Sequence, residues 1–304
     1  MTNDNRDHDA PSGARLLVLL MGFGWGFNWI AARFILEALH PWALRVVGIG
    51  LGTLTLFAAA AVRGVPLRIP HGQKMKVAIA GFFNVALFGV CSAYAQTYGA
   101  TSRAVVVAYS MPIWSSLLAW IVLKEKLNAV RITALVLCAA GLTVLIWPLA
   151  QVGLPLGALF ALVCAWSWAV GTIYLKWAKI VAPTLAAAAW QLLFGWLMLA
   201  AGMLAFEGLP QLWPLPGYIL AWIGYNGLIG MGLAYLLWFV IIDRLPAVTA
   251  SLGSLLVPVV GVIGSAFILG ERPDLTDAIG FALIFTAAAS VLLQPNTRHS
   301  EMPE

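Results

Sequence analysis

The chain has 304 residues, 62% hydrophobic and 10% charged, with a mean hydropathy of +0.92. A soluble domain carries about 25% charged residues, so a water-soluble globule is excluded. A nucleic-acid reading of the net charge of +5 falls with it, because basic cytoplasmic loops of a membrane protein account for that charge more simply.

Residues 1–14 are polar and mixed in charge and lack a cleavable signal pattern, so the first apolar run is expected to stay as a helix. Ten apolar runs follow, each about 20 residues and thus long enough to cross a bilayer. They cover 15–35, 41–62, 75–96, 102–123, 131–148, 154–174, 184–206, 215–242, 247–269 and 275–293. The loops between them are short, which makes successive helices antiparallel neighbours and leaves no room for a separate soluble domain. With the N-terminus in the cytoplasm, 13 Lys and Arg residues fall on the inner side and 4 on the outer, namely Arg33, Arg45, Arg103 and Arg272. That bias sets the expected orientation, with both termini cytoplasmic.

The fourth and ninth runs are variants of one segment. Each has a proline near its middle and ends in a glutamate, Pro112 to Glu125 and Pro258 to Glu271, both 13 residues apart. Both prolines read as mid-helix residues. A proline there costs about 3 kcal/mol in water, but a membrane helix tolerates it when neighbours satisfy the freed carbonyl. These prolines are the expected flexible points. On the later copy Ser251, Ser254, Pro258, Gly261 and Ser265 form a stripe of small residues, suited to close packing or to a polar cavity wall. Runs one and six also match: Trp25-Gly26 precedes Arg33, and Trp168-Ala169 precedes Lys176, each basic residue eight after its tryptophan. The chain thus divides at about residue 150 into halves of five runs. Five is odd, so the halves must insert in opposite orientation. Such inverted repeats expose one midplane site alternately to either side of the membrane.

In this order and duplication, Trp25-Gly26 with Arg33, Arg45, Pro112 to Lys124-Glu125, and Pro258 to Gly270-Glu271-Arg272 resemble the drug/metabolite transporter superfamily, specifically proteins with two EamA-type domains. The resemblance spans nearly the whole chain outside its tails. It implies an all-α integral membrane fold of ten transmembrane helices in a 5+5 inverted repeat. The repeats would cover 15–150 and 151–294, with cytoplasmic tails 1–14 and 295–304. It also implies a bacterial inner-membrane secondary transporter without cofactor. The most similar members are aromatic amino-acid exporters; a nucleotide sugar, a purine or a lipophilic drug stays open as the solute. Asn28, matched by Gly171 in the other half, departs from strict duplication and puts more of the polar recognition in the first half.

The candidate substrate contacts are Trp25, Asn28, Tyr94, Tyr98, Ser110, Trp114, Trp168, Gln191, Tyr235 and Ser254, with Pro112 and Pro258 as hinges. Amides inside apolar runs need partners, either another helix or a solute. Deep aromatic rings pack, face lipid, or offer a solute flat surfaces and cation–π contacts. Arg33, Glu37, Arg45, Lys176, Asp243 and Asp277 sit toward run ends, where long side chains are expected to snorkel. No carboxylate stands near a midplane, which points away from a deep proton relay. The glycine-rich runs 22–26 and 48–52 lie inside apolar runs and fit close packing, since no GxxxxGK[ST], HExxH or GxSxG pattern is present. A membrane-embedded enzyme or sensor would need a catalytic cluster or output domain that this sequence lacks. Cys91, Cys138 and Cys164 read as small apolar fillers. The expected partners are a small-molecule substrate and the lipid bilayer, with no nucleic acid; the oligomeric state stays open.

Overall fold

The computed structural model describes residues 12–292 except 126, 211, 213, 245 and 246, and within that range it leaves out the side chains of 12–15, 239, 242–244, 247–254 and 291–292. The described residues are helical or in short connections, with no strand among them. Among the described residues, ten helical rods follow one another: α1 (Ser12–Ile35), α2 (Pro41–Val62), α3 (His71–Thr97), α4 (Thr101–Leu123), α5 (Ala129–Val152), α6 (Leu156–Ala178), α7 (Thr184–Phe206), α8 (217–244), α9 (Ala247–Ile268) and α10 (Leu275–Leu292). Eight of them are long and apolar enough to cross a membrane by length and composition, and the described parts of α9 and α10 are apolar as well. The described residues make an all-helical, multi-pass membrane protein.

Three rods are not plain α-helices, and each departure bears on the site. In α3 residues Phe82–Leu87 are wound as π-helix, and in α8 residues Tyr225–Leu233 are. A π-turn shifts the hydrogen-bond register and frees carbonyls for other donors. In α4 the helix stops at Ala108, turns through Tyr109 and Ser110, and restarts at Met111. Pro112 therefore stands in the first turn of a new helical segment, where its missing N–H costs nothing. This corrects the mid-helix reading of Pro112; Pro258 does lie inside α9.

Small residues let the rods approach closely. On α1 a side chain at Gly22 or Gly26 would run into Leu256 or Val260 of α9, and one at Gly264 of α9 would meet Ile30. On α2 the same holds of Gly48, Gly50 and Gly52 against Asn226, Trp196 and Met231. These glycines act as packing faces, because in lipid van der Waals fit replaces hydrophobic driving force. The three cysteines are buried and free.

One end of the bundle, formed by the loops after α1, α3, α5, α7 and α9, is tied by polar bonds and is called here the Arg103 end. Glu271 accepts from the backbone N–H groups of Thr101 and Ser102 at 2.6 and 2.9 Å, capping the start of α4. Arg103 grips both carboxylate oxygens of Asp277, the second at 3.0 Å. Glu207 accepts from Trp42 and Ala43 at the start of α2, and Arg33 donates to the Gln96 carbonyl at 2.8 Å. Glu271 and Asp277 are thus clasps between rods distant in sequence, not simple headgroup anchors. Glu125 accepts from Arg131, six residues on, at 3.3 Å.

Candidate functional site

Between α1, α2, α3, α4, α6 and α8 lies a cavity of about 60 Å³. Its walls are Trp25, Asn28 and Trp29 of α1, Arg45 of α2, Phe88 and Ser92 of α3, Tyr109 and Met111 of α4, Trp168 of α6, and Met231 and Tyr235 of α8. Trp25 stands ten residues before the end of α1, about 15 Å from it at 1.5 Å per residue, so the cavity lies deep within the rods.

Hydrogen bonds and ring contacts hold much of this wall. The Trp25 indole N–H donates at 3.1 Å to the carbonyl of Gly230, inside the π-segment of α8. Its ring meets Tyr235 edge-on at 5.4 Å and tilts against Trp238 at 5.8 Å. Trp168 packs on Phe88 with centroids 5.0 Å apart. The turn in α4 presents Tyr109 to the cavity, and a buried Ser110 secures that turn by donating to the Val107 carbonyl at 2.7 Å. Asn28 is 6% exposed and accepts at 2.8 Å from the amide of Asn226, also in the π-segment. Gly48 faces that amide, and any side chain there would collide with the Asn226 oxygen.

Arg45 is the charge in this wall, and it is 4% exposed. Its Nε donates to the Gly89 carbonyl and its Nη2 to the Ser92 hydroxyl, both at 2.9 Å. Ser92 passes the chain on by donating to the same carbonyl at 2.8 Å. No carboxylate lies within ion-pair distance of Arg45 among the described residues. Burying an ion costs several kcal/mol, and two hydrogen bonds to a charged group return about 1.5–3 kcal/mol each. A guanidinium has five N–H donors; two are engaged, and the positive charge stays uncompensated beside the cavity. Arg45 therefore does not snorkel as its place near the start of α2 suggested. It is anchored inward, along α3.

The residues singled out from sequence divide accordingly. Trp25, Asn28, Trp168 and Tyr235 line the cavity together. Tyr94 and Tyr98 do not; they stack on each other at 6.0 Å and on Phe160 at the Arg103 end. There Tyr98 borders a second, outer hollow of about 380 Å³ with Arg103 and Gly157. Trp114 packs on Trp166 at 4.8 Å and donates to Ser110. Gln191 bonds its own helix at Ala187 and meets Asn84 at 3.4 Å, apart from the cavity. The side chain of Ser254 lies outside the described residues. Arg45, Ser92, Trp29, Phe88, Tyr109, Met111 and Met231 were not among the sequence candidates. For Arg45 a signal existed, a basic residue four places into an apolar run, but sequence does not give its facing.

Membrane-length helices thus enclose a deep cavity walled by aromatic side chains. The model of the EamA-like transporter family matches residues 13–147 and again 155–293, and the chain belongs to that family. Similar proteins include an uncharacterized transporter, YoaV, of Bacillus subtilis (strain 168), 24% identical over 86% of this chain and 90% of its own. A probable amino-acid metabolite efflux pump of Escherichia coli (strain K12) is 24% identical over 89% of this chain and 92% of its own. A solved crystal structure superposes with a TM-score of 0.65 at 24% identity, covering 92% of this chain and 96% of that one.

Proposed function

We propose that this transporter is a secondary exporter in the bacterial inner membrane for small amphipathic metabolites, foremost aromatic and other neutral amino acids. The observation that carries this reading is the deep cavity, where six aromatic side chains surround one buried cation that has no counter-anion among the described residues. Rings of Trp25, Trp29, Phe88, Tyr109, Trp168 and Tyr235 suit a flat apolar group. Arg45 suits a carboxylate, which it can hold by charge-assisted hydrogen bonds. The printed name of the Escherichia coli relative points to the same solute class. The positive wall argues against a lipophilic cation as cargo; nucleotide sugars and purines are the competing solutes to test.

The mechanism we propose is alternating access by two inverted halves, 15–150 and 151–294, comprising ten spans with tails 1–14 and 295–304 in the cytoplasm. Several correspondences support it. The two π-segments fall in α3 and α8, each near its start carrying an asparagine, Asn84 or Asn226. Asn226 bonds Asn28 of α1 and crowds Gly48 of α2. Asn84 crowds Gly171 of α6 and bonds Gln191 of α7. Gly171 and Gln191 stand at the same offset from Asn28 and Gly48 as Trp168 does from Trp25. The clasps at the Arg103 end would form one gate, the outer one in this topology. Pro112 and Pro258 would serve as hinges, and Ser254 as a further contact from α9.

Calorimetry on purified protein with tryptophan and phenylalanine tests the solute, and counterflow of the same compounds in proteoliposomes tests transport. Saturable binding abolished in Trp168→Ala is expected; absence of binding and counterflow for both compounds overturns the reading. Reporter fusions at both termini that read on the outer face would overturn the topology.

A further inference from the structure

The cavity has a fixed cation and no fixed anion. Two of its side-chain acceptors are committed: the Asn28 oxygen accepts from Asn226, and the Ser92 hydroxyl accepts from Arg45 while donating to Gly89; the remaining ones are the neutral hydroxyls of Tyr109 and Tyr235. No Asp or Glu lines it. An α-ammonium group entering here would give up its water, find no carboxylate, and share a small space with the Arg45 guanidinium. Face-on contact with Trp25, Trp29 or Trp168 offers it some attraction, but like charge in a poorly screened site opposes it. A carboxylate meets the reverse situation. It neutralises a buried charge that otherwise has no partner, and it can accept from the guanidinium N–H groups that the protein leaves unused.

Resting on the reading of this cavity as the solute site, we propose that within the aromatic solutes it admits, an aromatic monocarboxylate lacking an α-ammonium group, such as an arylpropionate or aryl-2-oxo acid, binds more tightly than the corresponding amino acid, which remains a weaker ligand. Electroneutrality of the occupied cavity is the basis of selection. Arg45 is the specificity-determining residue, and Ser92, bound to its Nη2, is a positioning residue.

The test is isothermal calorimetry at pH 7 on the full chain in lipid nanodiscs, using one ring with three head groups: 3-phenylpropionate, phenylalanine and phenethylamine. The expected order is 3-phenylpropionate at least tenfold tighter than phenylalanine, with phenethylamine not binding. Phenylalanine binding as tightly as or tighter than 3-phenylpropionate overturns the proposal and leaves the cavity's role as an aromatic amino-acid site intact. Binding by none of the three, nor by their indole counterparts, overturns that role as well. In folded Arg45→Lys the preference for the acid is expected to persist with weaker affinity. In Arg45→Met it is expected to vanish, so that acid and amino acid bind alike; an unchanged acid preference there would assign it elsewhere. The wild-type series decides the matter even where Arg45→Met does not fold.

Discussion

Replacing Glu271 with alanine is expected to loosen the Arg103 end of the bundle. The carboxylate spans the first two N–H groups of α4, at 2.6 and 2.9 Å, and sits where the helix dipole favours negative charge. Hydrogen bonds to charged groups contribute about 1.5–3 kcal/mol each, but Glu271 is only partly buried, and water replaces part of what is lost. A net change of about 2 kcal/mol is a reasonable expectation, which corresponds to roughly a thirtyfold shift between closed and open ends. In the proposed topology, where the Arg103 end faces outward, the assay is thiol labelling from outside the cell with a membrane-impermeant maleimide. Cys91, Cys138 and Cys164 are first replaced by alanine, and Met111 in the cavity wall by cysteine. Labelling of Met111→Cys should accelerate at least tenfold when Glu271→Ala is added, and less with Glu271→Gln, which keeps one acceptor. Equal labelling rates, with matched expression and melting temperature, would refute the assignment of Glu271 as a clasp.

Other substitutions probe the interior. Gly48→Ala drives a methyl into the Asn226 oxygen and should lower stability by about 1–3 kcal/mol, read as a drop in melting temperature in detergent. Asn226→Leu removes the donor to Asn28 and should cost about 1–3 kcal/mol; the paired Asn28→Leu, Asn226→Leu variant should cost less than the sum if the two act as one unit. Pro112→Ala should leave stability nearly unchanged, because Pro112 occupies a first turn, yet slow transport by allowing α4 to run through Tyr109 and Ser110. Equal loss of expression and transport would make that turn purely structural.

Much of the architecture was legible because a bilayer forces apolar runs of fixed length. The limits of α2 and α7 agree with the apolar runs 41–62 and 184–206 residue for residue. What sequence could not supply was facing and winding. Trp25 and Trp168 share the cavity wall, while Trp114, equally deep, turns to Trp166; composition is the same in both cases. The π-segments left no mark in the apolar pattern, because their lengths and residues suit α-helix equally well. Pro112 misled for a related reason: a proline deep in a run reads as an interruption, and only the turn at Tyr109–Ser110 makes it a beginning. Arg45 lies near an end by counting, but its bonds to Gly89 and Ser92 carry it inward.

The solitary charge of Arg45 has an electrical corollary. If the cargo is the aromatic monocarboxylate proposed above, the vacant carrier is cationic and the loaded one neutral, so only the vacant half-cycle feels the transmembrane potential, at up to about 2.3 kcal/mol per 100 mV for a charge crossing the whole field. Exchange of solute for solute should then be indifferent to voltage clamped across proteoliposomes, while net flux should respond to it. An interior-negative cell would draw the vacant cation inward, resetting the carrier for the next molecule to leave without any proton changing hands.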